Sequence, residues 1–133
     1  MADIFTALFP YHAETAGVTV RVAVAYLADQ SSPVAGRWFW SYHIRIENRR
    51  EDAVQLLARH WVITDMTGNV HEVRGEGVVG ETPRIEPAGS YDYVSGCPLE
   101  TPSGTMAGKF HMVDDQGSTF DIEIPAFELA TPS

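Results

Sequence analysis

A single cysteine, Cys97, stands in 133 residues, so no disulfide can form within the chain. Extracellular sandwiches of this size often carry one, which makes a reducing cytoplasm the expected location. Cys97 itself reads as a buried, small apolar residue, because no neighbour in the sequence would activate a thiol. Lysine is almost missing: Lys109 is the only one among nine basic residues, against eighteen acidic ones, for a net charge of −9. Neutralising phosphates needs a basic surface, so neither nucleic acid nor an anionic membrane is an expected partner. No run is long and apolar enough to cross a bilayer. The first ten residues carry Asp3 and no Lys or Arg, and do not read as a signal peptide.

Reactive constellations are missing too. The five histidines, His12, His43, His60, His71 and His111, form no H-x-x-H, H-x-x-x-H or Cys/His pair. Whether any metal binds is left open by the sequence. There is no G-x-S-x-G and no papain-like cysteine context. Carboxylates are plentiful but scattered, and none pairs into an acid–base couple. An enzyme is therefore not expected, and neither is a cofactor.

What is present is apolar alternation. Apolar residues make up 44% of the chain, with three Trp, six Phe and five Tyr, enough for a core without staples. Val18, Val20, Val22, Val24 and Tyr26 recur at every second position, as do Trp38, Trp40, Tyr42, Ile44 and Ile46. The run AVQLLARHWVITD puts Leu57, Trp61 and Ile63 on one side and Val54, Leu56 and Val62 on the other, which predicts a central strand. Tyr91, Tyr93 and Ser95 alternate against Asp92 and Val94. Asp65-Met66-Thr67-Gly68 and Asp114-Asp115-Gln116-Gly117 each place Asp first and Gly fourth, the pattern of a type I turn closing a bulged hairpin. No stretch carries a helical stripe beyond a turn or two. The expectation is an all-β, immunoglobulin-like antiparallel sandwich of seven or eight strands, with residues 1–16 an N-terminal extension and 17–133 the domain.

Two short motifs invite a functional reading. Gly75, Gly77 and Gly80 in GEGVVG match the dinucleotide pattern G-x-G-x-x-G. That pattern needs a helix to begin within it, and Pro83 and Pro87 prevent one. A rigid structural loop is expected, with Val78 or Val79 tucked beneath it. Its amides, with Arg74 and Arg84, are the candidates for holding a carboxylate or phosphate. In Arg59-His60-Trp61, alternation sends Arg59 and Trp61 to one face and His60 to the other. Trp61 is expected in the core with Arg59 paired to a carboxylate; the functional reading makes Arg59 and His60 part of a partner-binding surface.

The runs YLADQSSP, VQLLARHWVITDMTGNVHEVRGEGVVGETP, CPLETPSGTMAGKFHM and IPAFELATP occur in the order in which they occur in the ApaG family, which the chain resembles from Gly17 to Pro132. RHW, D-x-x-G and GEGVVGE-x-P together are specific to it. One departure is Val24, where the family carries a proline two positions before Tyr26; a longer uninterrupted first strand follows. The resemblance implies a fibronectin type III-like sandwich and a bacterial cytosolic protein. It also implies a link to cobalt and magnesium resistance or efflux, and use of the domain as a binding module in larger eukaryotic proteins. It supplies no catalytic residues. The expected function is noncatalytic recognition of an unidentified protein partner, by a monomer or homodimer. The alternative is a small-ligand module taking a phosphate compound at Gly75–Gly80 or a divalent cation.

Overall fold

The two D-x-x-G segments fix the register of half the molecule. In the computed structural model, which describes residues 4–132, the Asp65 carboxylate accepts from the amides of Thr67 (2.8 Å) and Asn69 (3.1 Å), and Gly68 takes φ 90°. Asp114 repeats this with Gln116 (2.9 Å) and Ser118 (3.0 Å), and Gly117 takes φ 79°. Each aspartate satisfies amides that the reversal would otherwise leave bare, and each glycine occupies left-handed space without a Cβ penalty. The strands that meet there pair as expected, Thr64 opposite Val70 and Val113 opposite Thr119.

The strands are β1 (Tyr11–Thr15), β2 (Val18–Tyr26), β3 (Trp38–Asn48), β4 (Val54–Asp65), β5 (Val70–Glu76), β6 (Arg84–Ile85), β7 (Ser90–Leu99), β8 (Gly104–Asp114) and β9 (Thr119–Leu129). One α-helical turn (Ile4–Leu8) and two 3-10 turns are the other regular elements among the described residues. Two antiparallel sheets face each other, ordered β1-β2-β3-β7 and β5-β4-β8-β9, with β6 pairing the start of β4. The architecture is the expected all-β sandwich, with nine strands rather than seven or eight. The count rises because β6 is only two residues long and because β1 lies within the segment read as an extension. Its sequence YHAET carries no apolar alternation. It holds its place by pairing with β2 and by lending hydroxyls to β9: Thr15 Oγ1 accepts from the Glu123 amide at 3.1 Å, and Tyr11 Oη from that of Glu128 at 3.5 Å.

Val24 sits in an unbroken β2. Pairing with β1 stops at Val22, so beyond it β2 is bonded on the β3 side alone. The outer side of β2 and β3 is covered as well. The Phe5 ring lies 4.3 Å from the Arg45 guanidinium carbon, and Phe9 meets His43 edge-on at 4.9 Å. Thr19 and Arg21 are consequently buried on a face that alternation alone would leave wet.

The core between the sheets holds Trp40, Ile44, Ile46, Leu56, Trp61, Phe110, Ile122 and Phe127. Here β4 departs from simple alternation. Register shifts between Leu56 and Ala58, so Leu57 is an extra residue. Val54 and Leu56 therefore face the core together with Trp61, whereas strict alternation groups Leu57 with Trp61 and sends Leu56 outward. A second shift, between Met106 and Gly108, sets Ala107 against both Pro125 and Ala126 of β9. An edge-strand bulge is where a proline costs the ladder least.

Candidate functional site

The sandwich closes on one side and opens on the other. On the β1/β9 side, side-chain hydroxyls seal the gap. On the other, β5 extends beyond the cover of β7. The bonded pairs Trp61–Val73 and Ile63–His71 place Val73 and His71 on the inner face of the sheet, yet both are exposed. The result is a groove of about 590 Å³ between the free edges of β5 and β7. Tyr42, Trp61, Ile63, Cys97, Leu99 and Met106 line it, with Arg37, Arg59, Asp65, His71 and Glu100 also bordering it. A smaller hollow of about 300 Å³ adjoins it, shares Tyr42, Arg59, Trp61 and Ser95, and ends on Tyr93 and the Val78–Gly80 turn. Tyr91 ties that end down, donating its hydroxyl to Glu81 at 2.9 Å.

Arg59 stands where the two hollows meet. Its Nη1 donates to the carbonyls of Glu76 (3.0 Å) and Gly77 (2.9 Å). The expected carboxylate partner is not there: among the described residues no acidic group forms an ion pair with Arg59. Backbone carbonyls of the GEGVVG segment take that place, because β5 returns directly alongside Arg59. Gly75 is the residue that permits this. It lies within β5 at ordinary φ, and a Cβ there would stand 2.8 Å from the guanidinium carbon of Arg59. Its role is to make room for a side chain, not to turn the chain.

The loop beyond Gly75 is ordered and closed on itself. Gly77 (φ 63°) donates its amide to the Leu57 carbonyl at 2.8 Å. Val78 and Glu81 exchange both backbone hydrogen bonds, at 2.8 and 2.9 Å, around a turn in which Val79 (φ 43°) and Gly80 (φ 82°) are both left-handed. Val78 is buried and Val79 exposed. No helix follows. The amides of Gly77, Val78 and Glu81 are thus spent on the protein itself, and an anion nest would need them free. Nor do the flanking arginines converge. Arg74 points to the outer face near Glu72 (3.6 Å), while Arg84 pairs with Glu86 (3.1 Å) and Asp115 (2.9 Å) beside β6. Arg74, Gly75, Gly77, Gly80 and Arg84 lie close together in sequence but do not surround one space.

Arg59 and His60 also part company. His60 faces the outer side of β4, its Nε2 2.9 Å from Glu72, and borders a shallow hollow with Arg74, Lys109 and His111. Glu72 is held below the ordinary carboxylate range, chiefly by that hydrogen bond and by the nearby Arg74 charge.

Burial dominates the chemistry of the groove. It pushes the Cys97 thiol up to about 11, so the group stays protonated at neutral pH. It also raises the Tyr42 and Tyr93 phenols, with the Arg59 charge acting in the opposite direction on both. The Tyr93 hydroxyl is buried and has no hydrogen-bond partner among the described residues. Tyr42, Ser95 and Tyr93 were not legible as site residues, since strand alternation marks them only as inward-facing. Among the described residues no three of His, Cys, Asp and Glu gather where they could hold a metal ion, and no helix is long and apolar enough to cross a membrane.

Comparison with known proteins places these features in a family. The ApaG domain matches residues 28–114. Protein ApaG of Mesorhizobium japonicum is 52% identical over 122 residues, covering 92% of this chain and 94% of that protein. Protein ApaG of Caulobacter vibrioides is 50% identical over the same length, covering 92% and 87%. The crystal structure of a Bordetella pertussis protein given the name ApaA superposes with a TM-score of 0.84 at 43% identity, covering 86% of this chain and 94% of that one. The chain belongs to the ApaG family.

Proposed function

We propose that the protein is a noncatalytic recognition module of the cytoplasm that holds an extended segment of a protein partner in the groove between β5 and β7. One observation carries the reading: the inner face of β5, with Val73 and His71, has no covering strand among the described residues and continues an apolar floor of Trp61, Ile63 and Met106. A strand added to a free sheet edge gains main-chain hydrogen bonds, and a pocket beside the edge reads its side chains. A link of the family to cobalt and magnesium resistance acts, on this reading, through the partner and not through ion coordination. The net charge of −9 argues against a nucleic-acid partner.

Site-specific photo-crosslinking in cells tests this. A photoreactive residue at Val73, in the groove, should give discrete adducts with a partner. The same residue at Val94, exposed on the outer face of β7, should not. Adducts from Val94 alone would move recognition to the outer face and overturn the reading.

A further inference from the structure

We infer that the segment held in this groove presents a carboxylate, which docks on Arg59, with Arg37 supplying a second positive charge to the same cleft. The inference deepens the recognition reading above and rests on it.

Acidic residues outnumber basic ones eighteen to nine, so a cation without an acidic neighbour is unusual here. Lys109 and every arginine other than Arg37 and Arg59 stand 2.9–3.8 Å from a carboxylate. Arg37 and Arg59 alone, among the described residues, have no such partner, and both line the one groove. Two other hollows of similar size, about 550 Å³ around Arg45, Arg49 and Arg50 and about 580 Å³ around Arg21 and Arg49, are different: every arginine in them is paired within the chain.

Geometry narrows the ligand. Nη1 of Arg59 is occupied by two carbonyls. That leaves the Nε and Nη2 edge, a fork that matches the two oxygens of one planar carboxylate. A dianionic phosphate would also meet Asp65 and Glu100 on the border of the groove and Glu76 beside the smaller hollow. A second observation points the same way. Tyr93, only 7% exposed, ends the adjoining hollow with a hydroxyl that finds no hydrogen-bond partner among the described residues. A buried donor without an acceptor is costly, and an incoming carboxylate or carbonyl oxygen would relieve it. Length follows from β7. The groove borders it from Ser95 to Leu99, four strand steps or about 13 Å. An occupant of about five extended residues fits, with an acidic side chain at the Arg59 end and a large apolar one over Trp61 and Met106.

The test uses the full chain and a phage-displayed library of random twelve-residue peptides. Enriched sequences should carry Asp or Glu at a fixed offset from an aromatic or large aliphatic residue. A synthetic peptide of the consensus should bind with shifts in the amides of Ser95, Gly96, Cys97 and Leu99 and in the Trp61 indole. Replacing its acid by the amide should weaken binding at least tenfold. Against the Arg59→Gln protein the same replacement should cost less than threefold. Arg37→Gln, which breaks no internal bond of the Arg59 cap, gives an independent variant and should weaken the acidic peptide severalfold. Enriched peptides that bind the groove but lack an acidic residue would overturn the inference and leave the recognition reading standing. No enrichment, or shifts confined to another face, would overturn both. Phenylacetate binding as tightly as the peptide would replace the segment by a free small acid. A dimer of the chain that Arg59→Gln dissolves would replace it by a second copy. Either outcome overturns the inference.

Discussion

Arg59 lies across Gly75 so closely that a Cβ on the glycine would meet the guanidinium carbon at 2.8 Å. The atom in the way is the far end of a flexible side chain. Gly75→Ala should therefore cost less than about 1 kcal/mol, while pushing Arg59 off the carbonyls of Glu76 and Gly77. Gly108 makes the contrast. A Cβ there would collide with the backbone carbonyl of His60 on the neighbouring strand, and β4 itself would have to shift. Gly108→Ala should cost about 2–3 kcal/mol. Urea unfolding of the two variants checks the order; equal costs would mean that Arg59 is held as firmly as backbone.

The hairpin glycines test a different cause. Around Gly68 (φ 90°) and Gly117 (φ 79°) there is open space for a methyl group. Any penalty at these positions comes from the left-handed backbone alone. Gly68→Ala and Gly117→Ala should each destabilise by about 1 kcal/mol, and the two should add, because the turns are separate. Thermal unfolding of the single and double variants measures this. Unchanged melting would contradict the turn assignment.

Much of this was legible in the sequence. The alternation of Val18–Tyr26 and Trp38–Asn48 and the two D-x-x-G turns place six strands and two registers without further information. The opposite orientation of Arg59 and His60 follows from period two. What was hidden has three physical sources. The bulge at Leu57 is invisible because apolar residues flank it on both sides, so either parity looks plausible. β1 carries no apolar pattern, since its support comes from pairing and from hydroxyls given to β9. The groove depends on sheet order: only when β5 is known to overhang β7 does the inner face of Val73 and His71 become open. The same gap hid the partner of Arg59, because a sequence shows carboxylates but not which backbone carbonyls come near.

Trp61 supplies the floor of the groove and part of the core at once. It is 3% exposed and meets Tyr42, Phe127 and Phe110 with ring centroids 5.3, 5.9 and 6.5 Å away. Trp61→Ala should cost about 3–5 kcal/mol through lost burial and a cavity. Trp61→Phe should recover most of that. Wild-type stability in a soluble Trp61→Ala protein would mean that the ring lies on the surface.

Glu47 gives the fold a defined response to acid. Its carboxylate accepts from Arg21 (2.9 Å), Arg45 (2.9 Å) and Arg49 (3.2 Å) on the covered outer face of β2 and β3. Burial pushes the group up, but the three guanidinium hydrogen bonds outweigh it and hold Glu47 below its ordinary value. A carboxylate depressed in the folded state contributes stability that is present above its unfolded pKa and lost as pH falls through the folded one. With an unfolded value near ~4.3, the contribution is complete at neutral pH and fades only in acid below that value. Glu47→Gln removes the charge and leaves the Arg21 guanidinium buried without it. The cost at pH 7 should be about 3 kcal/mol, the low end for breaking a buried pair, because the carboxylate keeps some contact with water. Urea unfolding of both proteins from pH 7 to pH 3 should show the difference largest at neutral pH and shrinking below about pH 4.3. Parallel stability curves down to pH 3 would mean that the three arginines do not act on Glu47 through its charge.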